Sequence, residues 1–230
     1  MHIPDGFIDG TTSALGGGVA VGTVAVCLRR TRDVLDDRQV PLVGLTSAFV
    51  FAAQMLNFPV AAGTSGHLLG GVLAAVLVGP WAGALAVSVV LVVQALLFAD
   101  GGLSALGLNV VNMALVGALG GYAIFAAIRA LLPKTKASVV AAAGVAAALA
   151  PTMAAIVFTA EYALGGNGAA SLATVAKAMI GVHLLIGVGE GAITAMTISA
   201  VMATRPDLVH GAAHIATPAP PREVTAGVPA

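Results

Sequence analysis

The chain has 230 residues, of which 59% are hydrophobic and 9% charged, with zero formal net charge and a mean hydropathy of +1.01. A water-soluble domain carries about 25% charged residues, so a soluble fold would leave large apolar areas facing water, and a lipid bilayer is the solvent that fits. The charge balance offers nothing to nucleic acid, and the single cysteine, Cys27, excludes an internal disulfide or a cysteine-based zinc cluster.

The opening Met1-His2-Ile3-Pro4-Asp5-Gly6-Phe7 has no base before Arg29, unlike the basic start of a signal peptide. Met1 is therefore expected as the mature terminus, retained because His2 is bulky. A helix needs about 20 apolar residues to cross the hydrocarbon core. Seven candidates follow, at 13–28, 41–56, 68–77, 81–98, 106–131, 138–162 and 172–203, the third of them short and ending at Gly79-Pro80. The expected fold is an all-α integral membrane protein with seven transmembrane helices in residues 1–203. A flexible cytoplasmic tail follows at 204–230. With the amino terminus outside, nine of the ten bases fall on the inner side: Arg29, Arg30, Arg32, Arg38, Arg129, Lys134, Lys136, Arg205 and Arg222. Only Lys177 lies outside, so the excess of inner positive charge supports seven spans and a cytoplasmic carboxyl terminus. Glycines at 16–18, 22, 70–71, 117, 120–121, 187, 189 and 191 are expected to let helices approach closely.

Polar residues without a packing reason carry the functional signal in such a bundle. Most of them map to the outer side: Met1-His2, Gln54, Asn57, Thr64-Ser65-Gly66-His67, Gln94, Asp100, Asn109 and Asn112. Convergence from separate segments is what a pocket requires; interhelical hydrogen bonds are the other reading for each Asn and Gln. A free amine followed by histidine can chelate through the amine, the His2 backbone nitrogen and the His2 ring. A fourth nitrogen, with His67 the best donor available, would complete a square suited to Ni(II) or Cu(II). From residues alone, an ordinary surface histidine near a terminus is the alternative. His183 and Glu190 share one face of the last span and read as satisfied interhelical hydrogen bonds before they read as a relay. His210 and His214, four apart, stand among Pro and Gly in the tail. No H-E-x-x-H, G-x-S-x-G or G-x-x-x-x-G-K-[ST] pattern is present, so the chain is not expected to be an enzyme or to hydrolyse ATP itself.

The opening heptapeptide resembles the amino terminus of the cobalt and nickel substrate-binding components (the CbiM/NikM family) of energy-coupling factor transporters. Asn57-Phe58-Pro59 through Gly63-Thr64-Ser65-Gly66-His67-Leu68-Leu69-Gly70-Gly71 resembles that family's second signature. Gln94 to Gly102, continuing through Gly107-Leu108-Asn109-Val110-Val111-Asn112-Met113, resembles a third. The resemblance covers residues 1–203. It implies seven spans, an external amino terminus tucked into the bundle, and Ni²⁺ or Co²⁺ as transported substrate without an organic cofactor. It also implies a metal square made of the Met1 amine, the His2 backbone nitrogen, the His2 ring and the His67 ring. Asn57, Ser65, Gln94, Asp100, Asn109 and Asn112 are expected beside those ligands. The implied partners are a transmembrane coupling subunit, two cytoplasmic ATPase subunits and a small accessory membrane subunit, separate because no accessory segment is fused here. The implied location is a prokaryotic plasma membrane. Pro4-Asp5, in place of Met-Glu in cobalt-type termini, leans toward nickel. A stand-alone secondary permease is the alternative, although no internal repeat supports it. Binding is expected to fade below about pH 6, where amine and imidazoles protonate.

Overall fold

The computed structural model describes residues 1–32, 39–60, 64–168, 170–213 and 215. Seven helices run through the described residues: α1 (Gly10–Arg32), α2 (Val40–Gln54), α3 (Gly71–Val78), α4 (Pro80–Leu97), α5 (Leu106–Leu131), α6 (Lys136–Gly165) and α7 (Leu172–Thr204). Five of them, α1, α4, α5, α6 and α7, are long and apolar enough to cross a membrane, and α2 is a shorter apolar helix. The architecture is that of an all-α, multi-pass membrane protein. Large side chains such as Leu15, Val21, Leu97, Leu164 and Leu185 point outward, where lipid rather than water can solvate them.

The expected spans match these helices to within a few residues. α3 departs most in character. Seven of its eight residues, Gly71 to Leu77, are buried, so it is a core helix wrapped by the others. It starts from Gly70, in the left-handed conformation at φ 70°, and ends at Gly79, φ 91°. The sequence reason is glycine at both ends and no polar side chain between.

α6 and α7 pack along small residues. A side chain at Gly187 would strike the Ala148 carbonyl oxygen, and one at Gly191 would sit 2.7 Å from the Gly144 carbonyl oxygen. Gly144/Ala148 and Gly187/Gly191 are each four apart, the spacing that brings transmembrane backbones together. Gly189, by contrast, faces open space. Within α5, Val111–Gly120 adopts wider π turns.

Chain outside the helices closes both ends of the bundle. At one end lie residues 1–9, a two-stranded antiparallel hairpin (Phe58–Pro59 with Ser65–Gly66), the α4–α5 loop and the α6–α7 loop. The opposite end holds Arg30 over the Trp81 ring and the 3₁₀ turns Pro206–Leu208 and His210–Ala212. Residues 204–213, expected to begin a free tail, instead pack on the bundle: Val209 and Ala212 are buried with Phe125, Leu73 and Val76. These apolar residues find an uncovered end of the core, a sink that composition alone does not display. Arg38, His214 and 216–230 lie outside the described residues.

Candidate metal site

The amino-terminal segment enters the bundle rather than lying on it. Met1 and Ile3 are fully buried and His2 is 4% exposed. Main-chain hydrogen bonds hold the segment in place. The Ile3 N–H donates to Asn109 Oδ1 at 2.8 Å, and Ile3 O accepts from Gly102 N at 2.8 Å and Asn109 Nδ2 at 3.3 Å. Asp5 Oδ1 accepts from Ser104 N (2.8 Å) and Ser104 Oγ (2.6 Å), which holds its carboxyl below the usual range. Asp9 N donates to Gly165 O, and Asn167 binds both Phe7 O and Gly6 O. Gly101 and Gly102 leave room for this passage: a side chain on Gly102 would overlap the Asp5 backbone nitrogen, and one on Gly101 would lie 2.9 Å from the His2 ring. Ala99, at φ 51°, sits in the sparsely populated left-handed region one residue before Asp100.

His2 and His67 meet inside this cradle. His2 Nδ1 and His67 Nε2 are 3.0 Å apart, and the ring centroids are 4.6 Å apart. Each ring's other nitrogen faces an oxygen: His2 Nε2 lies 3.2 Å from Gln94 Oε1, and His67 Nδ1 lies 2.8 Å from Leu68 O. A carbonyl oxygen can only accept, so those nitrogens carry the protons. The lone pairs of His2 Nδ1 and His67 Nε2 are then directed at one another. Asp100 Oδ1 lies 3.2 Å from the same His2 Nδ1, and Asn57 Nδ2 donates to its other oxygen at 3.0 Å. Three acceptors therefore share one point, an arrangement that suits a cation.

The electrostatics agree. Burial pushes the His2 pKa down to about 3, aided by the charge of the terminal amine and opposed by the Gln94 contact. Burial also lowers His67 and the Met1 amine, whereas it raises Asp100. Deprotonated amine and neutral imidazoles are the forms that bind metal. The onset of proton competition therefore moves below the pH 6 expected for ordinary groups. The His2 amide N–H donates to Ser65 Oγ at a long 3.2 Å. A cavity of about 200 Å³, lined by His2, Asp5, Ser65, Asp100, Gly101 and Gly102 among others, opens onto the rings.

Of the residues expected beside the ligands, Ser65, Gln94 and Asp100 contact His2, Asn57 contacts Asp100, and Asn109 fixes Ile3. Asn112 instead donates to Glu161 Oε2 at 2.7 Å. Among the described residues, no three His, Cys, Asp or Glu side chains form a metal-binding group. Two supports lay beneath the sequence reading. Gln54 Nε2 binds Leu69 O at 2.6 Å, and Glu190 accepts from Leu69 N at 2.6 Å and Gly70 N at 2.9 Å, which together fix the turn after His67. The available signal was an acid inside an apolar span. His210 is remote from this site, 6.1 Å from the Tyr122 ring at the other end.

Known proteins share this architecture. The family model described as cobalt uptake substrate-specific transmembrane region, CbiM, matches residues 2–208. The cobalt transport protein CbiM of Sorangium cellulosum is 36% identical over 217 residues, covering 91% of this chain and 94% of its own. The fused nickel transport protein NikMN of Rhodobacter capsulatus is 43% identical over 126 residues, 55% of this chain and 36% of its own. A crystal structure of a truncated transition metal transporter superposes with a TM-score of 0.81 at 30% identity, covering 88% of this chain and 99% of that one. The buried amino terminus, the paired histidines and these matches lead to one conclusion: the chain belongs to the CbiM family of cobalt uptake transmembrane components.

Proposed function

We propose that the chain is the substrate-binding membrane subunit of an ATP-driven, energy-coupling factor importer, taking Ni²⁺ or Co²⁺ from the outer face into a four-nitrogen site. The donors are the Met1 amine, the deprotonated His2 amide, His2 Nδ1 and His67 Nε2. The observation that carries this reading is the 3.0 Å separation of His2 Nδ1 and His67 Nε2, with both remaining ring nitrogens engaged elsewhere. Two lone pairs brought this close can occupy adjacent corners of a square around one ion. Amine, amide and ring of one dipeptide fill three consecutive corners, and His67 takes the fourth. Asp100, at the cavity mouth, draws the cation in.

The reading includes seven crossings with the amino terminus outside, and the placement of basic residues supports it. α1 carries Arg29, Arg30 and Arg32 at the end away from Met1, the same end as Lys134 and Arg205. ATP hydrolysis then belongs to two cytoplasmic partner subunits, coupled through a transmembrane subunit with a small accessory subunit beside it, in a prokaryotic plasma membrane. Ni²⁺ titration of the purified chain, followed by absorption, tests the site. One tight equivalent per chain with a square-planar spectrum is expected. A single residue added before Met1 should abolish it, and His67→Ala should weaken it tens-fold or more. Unchanged affinity with a blocked amine would overturn the site.

A further inference from the structure

Beyond the four-nitrogen site, α7 carries a second group of donors. His183 is fully buried, and its Nδ1 lies 2.7 Å from the Met179 carbonyl oxygen one turn earlier. That contact requires the proton on Nδ1 and leaves a lone pair on Nε2. Nε2 has no hydrogen-bond partner among the described residues. Buried polar atoms without partners are rare and call for an explanation. The ring also lies within electrostatic reach of both the Met1 amine and the His67 ring, and Glu190 interacts with the same amine. Glu190 stands seven residues on, two turns along the same face and about 10 Å further from the outer end. Its oxygens grip Leu69 N and Gly70 N, in the stretch that leads from His67 into α3. The Met1 amine thus interacts with His2, His67 and Asp100 and also with His183 and Glu190.

We propose that His183 Nε2, with the Glu190 carboxylate behind it, is an inner station for the transported divalent cation, occupied as the ion leaves the four-nitrogen square. The inference rests on that square as the first binding position. Stripping four nitrogens from a metal in one step leaves the ion without donors in a dry interior, whereas stepwise exchange replaces each one as it is lost. An imidazole lone pair with no other partner is the donor such an exchange needs. A single imidazole nitrogen facing a carboxylate's charge holds the ion more weakly than the square. Ni²⁺ held there is high-spin and paramagnetic, unlike the diamagnetic square-planar ion.

The test uses the full purified chain and Ni²⁺ alone. His67→Ala together with a single residue added before Met1 removes the square and is expected to leave one weak, paramagnetic Ni²⁺ equivalent. Adding His183→Gln to that variant should lower the residual affinity about tenfold or more. If the variant with His183→Gln does not fold, ¹⁵N-histidine NMR of the chain without that substitution reads the same point: bound Ni²⁺ should broaden the His183 ring signals. No residual binding, residual binding indifferent to His183→Gln, or sharp His183 signals at saturating Ni²⁺ would each overturn the inner station. Failure of the square itself shows separately, as loss of the tight diamagnetic equivalent in the unaltered chain.

Discussion

Residues 1–9 close one end of the bundle, and Pro206–Ala212 close the other. The amino-terminal plug is held by hydrogen bonds from Ser65, Gly102, Ser104, Asn109, Gly165 and Asn167, contributed by four separate segments. The other plug is apolar: Val209 and Ala212 sink among Leu73, Val76 and Phe125, and Gly211 fits only because a side chain would lie 2.8 Å from the Phe125 ring. Hydrogen bonds are directional, so the first plug fixes atoms to within tenths of an ångström. Apolar burial is not directional, so the second plug can seal an end without specifying a geometry.

Substitutions can break that contrast. Gly102→Ala puts a methyl group into the Asp5 backbone and should expel residues 1–5 from the cradle. Ni²⁺ affinity is expected to fall about a hundredfold or more by titration, with helix content by circular dichroism intact. Asn109→Ala removes both bonds to Ile3 and should cost about tenfold to a hundredfold, the usual effect of losing a group that orients a ligand. At the other plug, Val209→Ala should lower the thermal midpoint in detergent by the loss of about 1–2 kcal/mol of packing and leave Ni²⁺ affinity unchanged. A loss of affinity there would show that the two ends are not independent.

Proton counting sharpens the same contrast. Because burial holds the His2 ring near 3 and lowers His67 and the amine, these groups carry fewer protons at pH 6.5 than free ones do. Binding Ni²⁺ should then release fewer protons than free groups would. Ordinary rings and amine, titrating near 6.5 and 8, would raise the count to about three. Calorimetry in buffers of different ionisation enthalpy reads the number. The sign for stability follows from the same shift. The unfolded His2 ring takes up a proton as pH falls below about 6.5 and the folded ring does not until about 3. The folded state therefore loses stability across that window, and the thermal midpoint should fall with it.

Much of this was legible in the chain. Helices longer than about 15 residues announce themselves by apolar length, and the glycines at 187 and 191 by their spacing. Met1-His2, His67, Ser65, Gln94 and Asp100 were readable because polar groups in an apolar chain are few. Asn112 was not, because three residues after Asn109 means a shared face only in regular α-helix, and the wider turns from Val111 rotate it toward Glu161. Glu190 looked like an interhelical bond and is one, but to the backbone of the His67 turn, a partner defined only by the folded path of α3. His183 looked equally satisfied, and its Nε2 is not. The packed segment 206–212 was hidden for a different reason: small apolar residues among Pro and Gly read as loose chain until a core end is available to receive them.

The anchoring of residues 1–9 also sets an order of assembly. Ile3 waits for Asn109, 106 positions later, and Gly6 for Asn167, 161 positions later. Ile3 and Gly6 thus settle only after Asn109 and Asn167 have been made. A nascent chain arrested before the α6–α7 loop lacks part of its own latch, so the proposed metal site can form only late in biosynthesis.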